Sequence, residues 1–581
     1  MPERSDAARA GFSWSGFEAR LLLGALLLRL LYLTSIAGSP FFQHPVGDEL
    51  QYDSWAQTLV AGRSFFGNYP YWDSPLYAYV LGAIYRLFGH DLYVVRLAQI
   101  LVGTLNVLLL YRLALRVTDE TTARVVGILA ATYLPFVYFE GLLLKETIAL
   151  CVLDGTLLML LGAIARPTLL ACWATGVLLG LLTLARINAL ALVGAALLTI
   201  WVQRSDRRWP ATVAVLLGVA MMIAPVTLRN RVVSGEWVLI SAAGGQVLFA
   251  ANNPDNTTGD SVPTPGVRFT PLYERIDFHT RAERETGRRL TPTEMSAYWR
   301  GKAIAFMREQ PWTVARMVGH RFLRFWNQQE IPDNHSIVVF RRLSWVLNLP
   351  LPGYWLIAPF ALIGLWLMRR RWRAWLPLYG FLAIYLLSLM PTWVTSRYRL
   401  PIVGVLMLFA AAAMVELWRQ SRDPNRAWRS ALMLGAACVV CWWPLSRPAV
   451  DEYDRHLAFA YVQDGRPDAA LPLYRNLLIL HQQPTDELLY AYALGRAGQM
   501  PDALAILGRL AGDDRPVEIR HRAYAYRGDL AREQKEWPIA IAAYRKAIEV
   551  DPNDSAAWNS LAVCWIATGQ LDEAEDALAQ A

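Results

Sequence analysis

Residues 21–53 read LLLGALLLRLLYLTSIAGSPFFQHPVGDELQYD: an apolar run of membrane-crossing length, then a short loop carrying the adjacent acids Asp48 and Glu49. The run exceeds a signal-peptide core and lacks a small-residue cleavage site, so it reads as a retained span. Paired carboxylates just outside a membrane are costly to desolvate, and their position invites a chemical role.

The 581-residue chain is 55% hydrophobic and 18% charged, with 23 Trp, a membrane-protein composition. Apolar runs that reach or approach the ~20 residues of a spanning helix begin near Leu21, Tyr93, Ala123, Thr147, Thr168, Ile187, Ala211, Tyr354, Trp375, Leu400 and Ser430, eleven in all. The net charge of +8 follows the membrane rather than a nucleic acid. Arg4, Arg9 and Arg20 precede the first span. Arg112, Arg116 and Arg124, then Arg166, then Arg204, Arg207 and Arg208, then 369–371 with Arg373, then Arg419, Arg422, Arg426 and Arg429 fill every second connection. The positive-inside rule puts these and the N-terminus in the cytoplasm. The loop of Asp48, the segment from Leu228 to about Pro352 and the C-terminus then face outward.

Five cysteines are too scattered for a disulfide framework, and the C-x-x-C of Cys438 and Cys441 lies inside an apolar run, where helix packing is its expected role. After about Val450 the chain turns polar and periodic. Gly465, Gly498, Lys535 and Gly569 stand 33, 37 and 34 residues apart, each followed five residues later by an alanine, at 470, 503, 540 and 574. Tyr524, Gly528, Tyr544, Ala547 and Pro552, then Trp558, Ala562 and Trp565, fit the same pattern. This resembles tetratricopeptide repeats, paired helices that stack into an α-solenoid suited to binding a protein partner. In the outer segment, Thr291-Pro292-Thr293-Glu294 is a capping box opening a helix to about Met307. A second helix, from Pro311 to Trp326, mixes Trp312, Met317, Phe322 and Phe325 with Arg316, His320, Arg321 and Arg324, and suits the bundle or lipid surface. The preceding stretch RNRVVSGEWVLISAAGGQVLFAANNPDNTTG reads as short strands and turns, giving a mixed outer domain.

On this topology the polar residues near outer span ends gather on one face. They are Asp48, Glu49, Tyr52 and Asp53; Arg96 and Gln99; Glu140, Lys145 and Glu146; Arg186 and Asn188; and Arg397, Tyr398 and Arg399. Each alone has a plain reading, a snorkelling Arg or a capping acid; independent snorkelling would favour the inner face instead. Asp154, in mid-span, reads as a buried polar contact between helices, although intramembrane acids are functional candidates by default. Transfer of a sugar from a polyprenyl phosphate suits such a set. The leaving phosphate needs cations rather than a proton, and one carboxylate suffices to deprotonate an acceptor hydroxyl. Glycoside hydrolysis ordinarily needs a second carboxyl as acid. The chain has no D-x-D pair, P-loop or dinucleotide loop.

The stretches GDELQYD, SPLYAYVLGAIYRLFG with VVRLAQILVGTLNVLLLYRLA, LLLKETIAL and SRYRLP resemble the GT-C membrane glycosyltransferases related to protein O-mannosyltransferases and aminoarabinose transferases. The likeness runs from about residue 15 to 445. GGQVLFAANNPDNTTGD, LTPTEMSAYW and FWNQQEIPDN look like a bacterial branch that often carries C-terminal repeats. The resemblance implies an all-α polytopic bundle of about eleven spans, a transmembrane module over 1–445 with its outer loop at about 228–352, and repeats over 451–581. It implies Asp48 as catalytic base and Glu49 as its support. Arg96, Lys145, Arg186, Arg397 and Arg399 would bind the donor phosphate, with Tyr52, Gln99, Glu140, Glu146 and Asn188 as further polar site residues. It implies inversion and a bacterial inner-membrane enzyme active on the outer side. The sugar, hexose or pentose, would go to a protein, glycan or lipid. Ser74 stands where the aminoarabinose branch has lysine, so one phosphate contact differs. No metal is demanded, and a divalent ion held by Asp48, Glu49 or Glu140 stays open. The alternatives are a ligase for a whole lipid-linked glycan and a non-catalytic scaffold presenting the repeats. A transporter is disfavoured because the acids sit at one face rather than the midplane.

Overall fold

The computed structural model describes residues 16–64, 66–166, 168–203, 207–268, 271–445, 451–552 and 554–580. Arg4, Arg9 and Arg204, counted above with the cytoplasmic charges, lie outside them. Two compact units result: Met1–Gly38 with Gly47–Pro448, and Ser39–Val46 with Ala449–Ala581.

Among the described residues of the first unit, six helices are long and apolar enough to cross a membrane: Gly16–Ile36, Leu92–Val117, Glu146–Ala165, Arg208–Ser234, Tyr354–Leu389 and Ser396–Gln420. A seventh follows if Glu120–Thr132 and Leu134–Glu140, bent by 44° at Tyr133, form one span. The chain is a multi-pass membrane protein. The runs at Thr168 and Ile187 form the shorter apolar helices Leu169–Ala185 and Ile187–Gln203, that at Trp375 lies inside Tyr354–Leu389, and that at Ser430 inside Pro424–Trp442.

Polar caps start these helices where apolar periodicity begins. Asp91 accepts from the amides of Tyr93 and Val94, Asp119 from Thr122, Thr168 from Ala171, and Thr395 from Tyr398. Ser396–Gln420 is the central strut, buried almost continuously from Ser396 to Ala413 against Glu120–Thr132, Glu146–Ala165 and Tyr354–Met368. Gly364 permits the last contact, since a Cβ there would lie 2.0 Å from the Phe409 carbonyl oxygen.

Between Arg208–Ser234 and Tyr354–Leu389 the chain folds as Gly244–Ala251, Pro271–Thr286, Pro292–Glu309, Pro311–Trp326 and Ile337–Leu343. The Thr291 capping box is present in full, and the next helix begins at Pro311 as expected. The expectation of short strands is overturned: the described residues contain no strand. Asparagine amides satisfy backbone groups that a partner strand would otherwise take. Asn230 donates to the Val238 and Ile240 carbonyls, and Asn253 and Asn256 accept from the amides of Asp255, Asn256 and Gly259. Gly244–Ala251 instead coils into a helix pressed on Pro292–Glu309, with Gly245 against Ser296. Phe249, Phe278, Met295 and Trp299 form the core beneath.

The described residues of the second unit form four helix pairs, Asp451–Gln463 with Pro467–His481, Pro484–Arg496 with Met500–Leu510, Val517–Glu533 with Trp537–Val550, and Ser555–Thr568 with Leu571–Gln580. Gly465, Gly498, Lys535 and Gly569, the residues that set the period, all turn at positive φ. The alanines five residues on are all buried.

Candidate active site

Asp48 and Glu49 open the helix Asp48–Val60, behind Gly47 at φ 59° and ψ −133°. That positive φ favours glycine, and a Cβ there would also push on the Asn334 side chain, whose Oδ1 would lie at 2.9 Å. One residue apart, the two acids diverge. The Asp48 carboxylate is partly exposed and bonds to Arg397 Nη1, whereas Glu49 is buried, with Oε1 2.7 Å from His335 Nε2.

Arg397 joins the pieces. Its Nε donates to Glu146 Oε1 at 2.8 Å, and Nη1 donates to Asp333 Oδ2 at 3.1 Å as well as to Asp48. Glu146, wholly buried, also takes Arg186 Nη2 at 2.5 Å, and Arg186 reaches the Arg397 carbonyl at 3.2 Å. Buried charges persist only when paired in this way. Beside them Lys145 Nζ lies 2.9 Å from Asp73 Oδ2 and 5.6 Å from the centre of the Tyr52 ring, and Tyr52 donates to Asp73 at 2.7 Å. Burial pushes the Asp73 carboxyl up, but Lys145, the Ser74 amide and Tyr52 prevail and hold it at about 2. Glu274 on Pro271–Thr286 faces this group. Burial, then the charges of Asp48 and Asp73, raise it to about 7 against a hydrogen bond from Trp72.

The structure thus brings together Asp48, Tyr52, Lys145, Glu146, Arg186 and Arg397. The other expected residues serve different contacts. Arg96 donates to the Gly141 and Leu92 carbonyls. Gln99 donates to the Glu140 and Leu142 carbonyls and accepts from Tyr77. The Glu140 carboxylate pairs with Arg29 at 2.6 Å inside the bundle, against Gly103. Asn188 donates to Ser388. Arg399 lies over the Tyr354 ring and clamps the Asn327 and Gln329 carbonyls and Glu330. Asp53 accepts from Tyr85 and Gln57 and lies 2.8 Å from His90. Asp154 is buried beside Asn106 and Gly404.

Sequence reasoning missed Asp73, Glu274, Asp333 and His335. Asp333 falls within FWNQQEIPDN, but no local spacing ties it to Arg397, 64 residues away. A small pocket of about 20 Å³, partly open to solvent, lies among Tyr138, Phe139, Leu142, Asp333, His335 and Arg397. Among the described residues no three His, Cys, Asp or Glu side chains are grouped to hold a metal ion.

Residues 72–228, which carry Asp73, Lys145, Glu146 and Arg186, match the family described as dolichyl-phosphate-mannose-protein mannosyltransferase, and residues 526–581 match the tetratricopeptide repeat. The first match takes in the part of the membrane unit that holds much of the charged cluster, and the second the last repeats. None of the curated proteins matches it in sequence. Among solved structures it is loosely similar to the oligosaccharyltransferase AglB of Archaeoglobus fulgidus, in complex with an inhibitory peptide and a dolichol-phosphate. That match has 12% identity and a TM-score of 0.42, covering 78% of this chain and 58% of the other. It is also similar to ArnT of Cupriavidus metallidurans bound to undecaprenyl phosphate, at 16% identity and a TM-score of 0.42, covering 89% of this chain and 80% of ArnT.

Proposed function

We propose that the chain transfers a sugar, hexose or pentose, from a polyprenyl phosphate to an acceptor hydroxyl, with inversion, on the outer face of a bacterial inner membrane. The observation that carries this reading is the meeting of Asp48, Glu146 and Arg397 at one guanidinium, beside Arg186 and Lys145. Asp48, the most accessible acid bonded directly to Arg397, takes the proton as the acceptor oxygen forms its bond to the anomeric carbon. The anomeric C–O bond breaks on the opposite side and its electron pair leaves with the polyprenyl phosphate. Arg397, Arg186 and Lys145 stabilise that growing charge. Glu49, next to the base in the chain and paired with His335, is its support. Arg96 and Arg399 complete the cationic set by fixing the backbone around it, and Gln99, Glu140 and Asn188 hold the flanking helices.

In this reading eleven spans carry a module over 1–445, the N-terminus is cytoplasmic, and the outer segment 228–352 covers the site. The solenoid over 451–581 recruits the acceptor, a protein, glycan or lipid, or a protein partner. The test is sugar release from labelled polyprenyl phosphate sugars by the purified protein and by Asp48→Asn, at matched melting temperature and with membrane and periplasmic extract as acceptor. Wild type should consume one donor and Asp48→Asn should lose about 10²- to 10⁴-fold. Equal turnover by the two would remove Asp48 as base. No turnover by either would favour the whole-glycan ligase or the scaffold.

A further inference from the structure

Arg397 is surrounded by more negative charge than it neutralises. The ion pairs of the cluster join four carboxylates, Asp48, Asp73, Glu146 and Asp333, to three cations, Lys145, Arg186 and Arg397. Glu274 adds a further carboxyl toward Asp48 and Asp73. A donor phosphate entering this arrangement meets a site already filled with anion, so a carboxylate has to give way.

The four are not equally free to do so. Glu146 is wholly buried between two guanidinium groups. Asp73 is held by Lys145 and Tyr52, and Asp48 is the base. Asp333 alone among the four combines three features. It stands on the non-helical segment between Pro311–Trp326 and Ile337–Leu343, its side chain is 22% exposed, and it contacts the same Arg397 nitrogen as Asp48. Burial, with the Asp48 charge adding to it, outweighs Arg397 and holds the Asp333 carboxyl above the usual carboxylate range. The segment is fastened on both sides of it, by Arg399 on Asn327 and Gln329 and by His335 on Glu49. Asp333 can therefore swing while its flanks stay in place.

We propose that Asp333 is a built-in stand-in for the donor phosphate, occupying Arg397 until the phosphate of a polyprenyl phosphate sugar displaces it. This rests on the reading of Arg397 as a phosphate ligand. The stand-in fills the place beside Asp48 on Arg397 Nη1 in the empty site, and its departure opens that place to the phosphate while Asp48 and Glu146 stay bonded to the guanidinium.

The experiment is binding of a polyprenyl phosphate, with the matching uncharged polyprenol as control, to the full chain in lipid nanodiscs. Wild type, Asp333→Asn, Asp333→Glu, Arg397→Gln and the Asp333→Asn/Arg397→Gln double variant are compared at matched melting temperature. Removing the competing charge should tighten phosphate binding by about tenfold, with Asp333→Glu close to wild type and no gain in the Arg397→Gln background. Asp333→Ser should reproduce the gain if Asp333→Asn folds poorly. Unchanged or weaker binding by the neutral variants, with Arg397→Gln still losing affinity, overturns the stand-in alone. If Arg397→Gln binds the phosphate as wild type does, the phosphate reading of Arg397 falls and the stand-in falls with it.

Discussion

Arg455 and Arg496 in the repeat unit find their carboxylates about one repeat away, at Asp486 and Glu533, 31 and 37 residues along the chain. Arg397 reaches Glu146 across 251 residues and Asp48 across 349. The first kind of pair ties a unit to its neighbour, so its loss is felt within that interface. The second ties together helix starts that nothing else in the local sequence relates. Burial sharpens the contrast: Arg496 and Glu533 are part-exposed, while Arg186, Glu146 and Arg397 are almost wholly withdrawn from solvent.

The largest expected effect tests that contrast directly. Glu146→Gln keeps the shape but leaves two buried guanidinium groups sharing one neutral amide. Breaking a buried charge network costs about 3–5 kcal/mol. Arg496→Gln removes a part-exposed pair and should cost about 0.2–1 kcal/mol. Thermal unfolding of the full chain in detergent, followed by protease cleavage of each unit, separates the two. Comparable losses would mean that the central network is no more than another surface pair.

A smaller effect concerns pH. Asp73 is held at about 2, below its ordinary 3.8. A depressed carboxyl contributes stability above its unfolded pKa and loses it as pH falls through the folded one, here from about pH 4 to pH 2. Because the Asp73 side chain is 33% exposed, solvent screening makes the gain smaller than the pKa difference implies. The melting-temperature gap between wild type and Asp73→Asn should therefore be present at pH 7 and narrow as pH drops below 4. A gap that stays constant would assign the loss to packing.

The same division governs what the sequence revealed. The repeat spacing was legible because Gly465, Gly498 and Gly569 answer a local demand, a left-handed turn between two helices, and the Thr291 capping box is equally local. The apolar runs and the GDELQYD acids pointed to a membrane bundle and to its polar cluster. Partnership was not legible. Glu140 and Glu146 are six residues apart, yet one pairs with Arg29 inside the bundle and the other with Arg186 and Arg397. Only the packing of helices distant in sequence decides between them. The strands expected in 229–259 failed for a related reason. Alternating apolar residues signal a strand only if backbone groups lack another partner, and Asn230, Asn253 and Asn256 provide one.

The smallest expected effect lies at Lys535. It occupies the turn position that the other repeats give to glycine, at φ 61°, where a side chain crowds the backbone at roughly 1–2 kcal/mol. Replacing it with glycine relieves that crowding but adds roughly 0.5–1 kcal/mol of unfolded-chain entropy. Lys535→Gly should therefore stabilise the repeat unit by about 0.5–1 kcal/mol, read as slower protease cleavage after residue 451 in the full chain. Turnover should be unchanged, because the substitution relieves one turn of one repeat and touches none of the pairs that assemble around Arg397. A loss of turnover at equal or greater repeat stability would show that this turn reaches the transfer site, and would erase the distinction between the two kinds of contact.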